Sequence, residues 1–263
     1  MKFSILYIIL FIISAESNFL WAEHSHAEKS DSVEQTLEKA REYFEHGKEE
    51  ESLKLYLSVF KDHPENYEAL WNTSFIYTRK GRQQTTYKEQ MVFYEIAKDF
   101  ARLTLDAHPD KPRSYYVYAV ASAGLVDDMP NSSERIKLSW DIIEYAEKAL
   151  RMDPSYAPSW HLIGLWNSNI ANISRTERFA ARVVYGSLPE GASNAKAEHF
   201  LKKAVELDPS AIVFKLDLAK HYQETGQERK AISLLEAVIK MKADSQYDKL
   251  NMAEARERYN QLR

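Results

Sequence analysis

Prolines recur at one place in this chain, and their spacing limits the possible folds more than any composition figure. Pro64, Pro109, Pro154 and Pro209 each follow a stretch that reads as the end of an amphipathic helix. Proline has no N–H to donate and disfavours helical geometry in the residue before it, so each one closes a helix. Three residues further on, a new helical pattern opens. Aligning the chain on these prolines puts small and bulky residues at matching positions in five successive units. Unit one places Ala40, Tyr43, Gly47, Ser52 and Tyr56 there. Unit two places Leu70, Ser74, Tyr77 and Gly81, then Ala97 and Ala101. Unit three gives Tyr115, Tyr118 and Ala119, then Ala146 and Ala149; unit four gives Trp160, Ile163 and Gly164, then Ala197, Leu201 and Ala204. Unit five gives Leu218, Ala219, Tyr222, Gly226, Ala231 and Leu235. Small residues at these positions let two helices approach closely, and a single register accounts for all five units.

A helix–turn–helix unit of about 34 residues with this pattern is the tetratricopeptide (TPR) repeat. One unit cannot bury its own apolar face, so successive units stack. The expected fold is all-α: a right-handed TPR-like solenoid of helical hairpins with extended insertions between the helices of a pair. Residues 33–244 form the five helical pairs in this reading. Unit five has Ala243 where the closing proline would stand, and residues 245–263 are expected to form a capping helix over the last exposed apolar face.

The proline spacings of 45, 45 and 55 residues exceed the plain unit by 11, 11 and 21. The excess falls at the turn from the first to the second helix of units two, three and four, at about residues 83–96, 125–137 and 170–195. Two readings are open. The insertions form a working edge, or they only lengthen helices and thicken the core.

The N-terminus is of a different character. Lys2 precedes FSILYIILFIIS, an apolar run with the length of a signal-peptide core and too short to span a bilayer comfortably. Residues 1–22 are read as a signal peptide with Ala22 at the cleavage site, and residues 23–32 as a polar linker. Export to a periplasm or secretion is expected; the alternative is an uncleaved anchor. His24 and His26 lie in the linker, with no carboxylate or cysteine support for a metal.

A net charge of −4 gives no nucleic-acid surface. The chain has no cysteine, hence no disulfide framework, thiol nucleophile or cysteine metal site. No GxSxG, P-loop or HExxH occurs, so neither an enzyme, a cofactor nor a metal site is expected. Asn72, Asn131 and Asn172 begin Asn-x-Ser/Thr triplets, read as chance occurrences because Asn72 falls inside a helix.

Positions 5 and 9 of each first helix face the concave groove of such a solenoid. They hold Leu37 and Arg41, Trp71 and Phe75, Tyr116 and Val120, His161 and Leu165, and Leu216 and Lys220. The lysine and asparagine with which TPR domains clamp an acidic C-terminus are absent from the first pair. The mostly apolar set suits a peptide, a protein segment or an acyl chain, unless an insertion folds back and fills the groove. His161 has no evident acidic partner in the sequence. In the third insertion Arg175, Arg178 and Arg182 share one helical face, fit either to hold an anionic group or to be solvated.

These features meet in one resemblance. The SWHLIGLW helix, the SRTERFAARVVYGSLPEGAS stretch and AEHFLKKAVELDPS resemble the regulator of microtubule dynamics family. The similarity covers about residues 33–263, and Ser174, Glu177, Arg178, Gly186 and Pro189 match the family's insertion. It implies a TPR-like helical domain without enzymatic activity, a lipid-binding role, or an association with microtubules.

Overall fold

The computed structural model describes residues 32–126, 132–173 and 191–263, with side chains of 132–136 excluded. Among the described residues there are eleven helices and no strand. They are α1 (32–45), α2 (Glu49–Asp62), α3 (Tyr67–Arg82), α4 (Tyr87–Ala107), α5 (Pro112–Val126) and α6 (Ser132–Met152). Then follow α7 (Ala157–Asn172), α8 (Asn194–Leu207), α9 (Ile212–Glu224), α10 (Glu228–Ile239) and α11 (Gln246–Gln261). Consecutive helices pair as hairpins, α1 with α2 through α9 with α10, and α11 packs on both α9 and α10. The result is a helical solenoid. Among the described residues no helix is long and apolar enough to cross a membrane.

The hairpins close because small residues stand where the helices cross. Ala40, Ala97, Ala101, Ala119, Ala146, Ala149, Ala197, Ala204 and Ala231 are fully buried. Two serines at such crossings donate their hydroxyls to a facing carbonyl, Ser52 to Ala40 and Ser74 to Ala97, each at 2.8 Å. Bulky neighbours fill the remaining volume, among them Tyr56, Leu70, Ile163, Leu201 and Leu235, all at 1% exposure or less. Each such side chain contributes about 1.5–3 kcal/mol of apolar burial.

The turns at Pro154 and Pro209 repeat atom by atom. Asp153 accepts from the amide and hydroxyl of Ser155 at 2.9 and 2.5 Å; Asp208 accepts from those of Ser210 at 3.1 and 2.6 Å. The aspartate thus ends one helix and shapes the two-residue step before the next.

The first two insertions lengthen helices. Only a short turn separates α3 from α4, and α4 and α6 each run to 21 residues. The extra N-terminal turns of α4 carry Tyr94, whose ring lies between α3 and α5. A Cβ added at Gly81 or Gly124 would stand 2.4 or 2.7 Å from that ring. Both glycines are therefore the space into which Tyr94 packs. The third insertion lies mostly outside the described residues, as do residues 1–31, His24 and His26 among them, and Asn131. Asn72 is 4% exposed and donates to the Glu68 carbonyl, so this amide is sealed inside α3.

At the far end α11 is started by a capping box, with Ser245 and Asp248 exchanging side-chain and backbone bonds. Met252 and Ala255 of this helix join Leu216, Ala219, Leu235 and Val238 in one buried cluster. The last hairpin's apolar face is thereby covered.

Candidate functional site

The first helices of the hairpins, α3, α5, α7 and α9, touch one another in succession and form the inner wall. The ten groove positions divide by depth. Leu37, Val120, His161 and Leu216 are buried at 4%, 7%, 8% and 1% exposure. Arg41, Trp71, Phe75, Tyr116, Leu165 and Lys220 are half-buried, and so carry the accessible part of the wall. Arg175, Arg178 and Arg182 lie outside the described residues.

Around α3 and α5 the wall is aromatic and cationic. The Arg113 guanidinium lies 4.4 Å from the centre of the Trp71 ring, and its Nε donates to the Tyr156 hydroxyl at 3.4 Å. Tyr156 in turn meets Tyr116 edge to face, with ring centres 5.5 Å apart. Burial pushes the Tyr116 hydroxyl well above the ordinary tyrosine value, aided by Tyr156 and opposed by Arg82 and Arg113. It is a protonated donor at any physiological pH. One unit earlier, Arg41 is held by Glu34 and Glu68 at 2.6 Å each.

Around α7, α9 and α11 the wall is a ladder of paired charges. His161 Nε2 meets Asp217 Oδ2 at 2.9 Å, and Asp217 Oδ1 accepts from Lys220 at 3.1 Å. Lys220 reaches Glu254 at 3.4 Å, and Glu254 holds Arg258 at 2.9 Å. Burial would raise the Asp217 carboxyl, but His161 and Lys220 outweigh it and hold the group below the ordinary aspartate range. The His161 ring also packs on Phe214 at 4.6 Å. Asp217 is the acidic partner that the sequence leaves unidentified. A histidine with a carboxylate could orient a proton transfer, yet no serine, threonine or further acid is placed against it by any of these bonds. The ladder reads as structural.

The two ends of the solenoid meet across this wall. Arg79, paired with Glu49 at 2.5 Å, stacks on the Tyr247 ring at 4.5 Å. A Cβ added to Gly47 would lie 2.8 Å from Gln246 Cγ, and this glycine has φ +76°, in the left-handed region. The first turn of α11 therefore seats on the α1–α2 turn and the end of α3. Among the described residues no group of three His, Asp or Glu side chains is placed to hold a metal.

A third surface lies on the outside. Between α8 and α10 an open depression of about 530 Å³ is floored by Val205, Leu218, Tyr222 and Leu234 and rimmed by Lys202, Arg229 and Lys230, with Glu206 the one acid among the lining residues.

The fold has clear likenesses. A thermophilic TPR protein of Thermus thermophilus superposes with a TM-score of 0.66 at 17% identity, covering 88% of this chain and 98% of that one. The pilF protein of Pseudomonas aeruginosa gives 0.53 at 10% identity over 89% and 90%. These show the TPR-like fold. In sequence, the regulator of microtubule dynamics protein 1 of Bos taurus is 28% identical over 180 residues, 68% of this chain and 55% of that one. The corresponding protein 3 of Xenopus laevis is 23% identical over 192 residues, 73% and 40%. The aligned stretches thus span roughly half the length of these curated relatives. The family described as Regulator of microtubule dynamics protein 1-3 matches residues 36–263, nearly the whole described chain, and the protein belongs to it.

Proposed function

We propose that this chain is a non-enzymatic interaction module that binds a peptide or protein segment along its inner wall. The observation that carries this reading is the set of half-buried aromatics at Trp71, Phe75 and Tyr116, beside Arg113 Nη groups that are unbonded among the described residues. Tyrosine and tryptophan combine a large apolar body with a polar tip, the combination enriched at binding surfaces. A displayed library of random octapeptides tests it. Selection on the intact protein should enrich binders, and Trp71→Ala or Tyr116→Ala should lose them while the helical circular dichroism spectrum stays unchanged. Equal enrichment on the intact protein and on both variants would remove the groove as the binding surface.

Binding of a lipid is a second reading, favoured by the outer depression with its apolar floor and cationic rim. Native mass spectrometry of the purified protein distinguishes them: a co-purifying lipid supports the second reading and bare protein the first. Within this proposal the apolar leader places the module on the exported side of a membrane, and a microtubule role follows only from the relatives' names. Fractionation of expressing cells, with the N-terminus of the product determined, tests the export reading.

A further inference from the structure

The chain is net acidic at −4, and most arginines of the inner wall are neutralised locally. Arg41 has two carboxylates, Arg79 has Glu49 and Arg258 has Glu254. Arg113 differs. Among the described residues it has no carboxylate within ion-pair distance. The acids at the neighbouring turns are engaged elsewhere, Asp110 with Lys111 at 3.3 Å and Asp153 with Ser155. Arg113 is also held in place: its plane is fixed by the Trp71 ring and its Nε by Tyr156, which leaves its two Nη groups unbonded among the described residues. A stacked guanidinium with free forks is pre-organised for a planar, acceptor-only group. The Tyr116 hydroxyl beside it likewise has no hydrogen-bond partner among the described residues.

We infer that Arg113 and Tyr116, backed by Trp71 and Tyr156, form a carboxylate-binding subsite for an acidic side chain of an extended peptide segment. This rests on the groove reading above and names the partner's chemistry. The donors outnumber the acceptors, so a neutral peptide would leave them unpaired and a basic one would be repelled. The subsite lies in a wall that continues along α3, α5 and α7, and flanking residues of an extended segment would meet Trp71 and Phe75 while the acid is held. A peptide is therefore favoured over a single small anion.

The same octapeptide selection tests this, read by composition. Aspartate and glutamate should be enriched among peptides held by the intact protein. Arg113→Gln should abolish that enrichment and weaken a selected acidic peptide about tenfold or more in fluorescence anisotropy, the loss expected for hydrogen bonds to a charged group. Arg113→Lys should restore less than half of it, since an ammonium lacks the planar fork. Enriched peptides with no acidic bias would overturn the subsite and leave the groove reading standing. No enrichment over Trp71→Ala would overturn both. Arg113-dependent binding to vesicles of phosphatidylglycerol in phosphatidylcholine, without acidic enrichment, would assign Arg113 to a lipid headgroup and overturn the proposal.

Discussion

From α7 to α11 the inner wall joins its charged side chains into one network; from α3 to α5 it leaves the Nη groups of Arg113 and the Tyr116 hydroxyl without a hydrogen-bond partner among the described residues. In the first region Asp217 is the hub, with His161 on one oxygen and Lys220 on the other. Nothing remains for a ligand without breaking a bond already made. In the second, the aromatic side chains hold Arg113 in place, and no acid among the described residues pairs with it. Two stretches of one repeat architecture thus differ in what they can do: one locks neighbouring hairpins together, the other keeps binding capacity.

Removing the hub should give the largest effect. Asp217→Asn leaves His161 and Lys220 facing an amide in a site where both Asp217 and His161 are nearly sealed, at 13% and 10% side-chain exposure. The loss should be about 2 kcal/mol, most of it from stranding the partners. Thermal and urea unfolding measure it; a loss below about 0.5 kcal/mol would show that the ladder is no tighter than a surface pair and dissolve the contrast.

Acidification should remove part of the same contribution without mutation. The Asp217 carboxyl lies below its ordinary value of 3.8, because His161 and Lys220 outweigh the burial that opposes them. Its stabilisation is therefore complete above the ordinary value and is lost as pH falls through the lower folded one. The stability difference between the intact protein and Asp217→Asn should stay flat from neutrality to about pH 4 and shrink below it. A difference that already fades near pH 6 would assign the linkage to a histidine instead.

How much of this was legible in the sequence depends on the distance over which each feature is decided. Ala40, Ala146, Ala149 and Ala204 were readable because a helix crossing excludes a larger side chain whatever the rest of the chain does. The fate of the extra residues was not, since a turn and two further helical turns have similar composition; Tyr94 between Gly81 and Gly124 decides for helix, and that fit appears only once three helices are assembled. The register ranked faces and not depth, which is why Leu37 and Leu216 share a list with Trp71 and Phe75. Asp217 stands 56 residues from His161 and on another helix, so its role is set by the stagger between hairpins. Arg113 and Tyr156 sit at the mouths of their helices, outside positions 5 and 9. Tyr247 against Arg79 depends on the curvature of the whole solenoid, which no local pattern encodes.

Arg113→Gln sharpens the comparison from the other side. Arg113 has no carboxylate to strand, so only its contact with Trp71 and one long bond to Tyr156 are lost. The cost to stability should be about 0.5–1 kcal/mol, the usual worth of a partly exposed cation–π pair. A loss as large as that of Asp217→Asn would mean that Arg113 is a structural clasp like Asp217, and the wall would have no open region.

The smallest effect should come from the contact that joins the two regions. Tyr247 is 38% exposed and meets the guanidinium of Arg79, which keeps Glu49 whether or not the ring is there. Tyr247→Ala should therefore cost only about 0.5 kcal/mol, the lower end for an exposed cation–π contact. The Ser245–Asp248 capping box is untouched by this change, so α11 should remain helical to its first turn. What should change is the coupling between the ends. In a double-mutant cycle with Arg79→Ala, the two substitutions should fall short of additivity by about 0.5 kcal/mol, since either one removes the same contact. Arg79→Ala alone should cost more than Tyr247→Ala, because it also strands Glu49 and exposes the Phe44 ring that the guanidinium faces at 5.6 Å. Hydrogen exchange gives an independent measure: amides in the first turn of α11 should exchange faster in Tyr247→Ala, while those at the centre of α9 keep their protection. Strict additivity with unchanged exchange would show that the ends touch without holding each other, and that the ligand-accessible and locked regions of the wall behave as separate units.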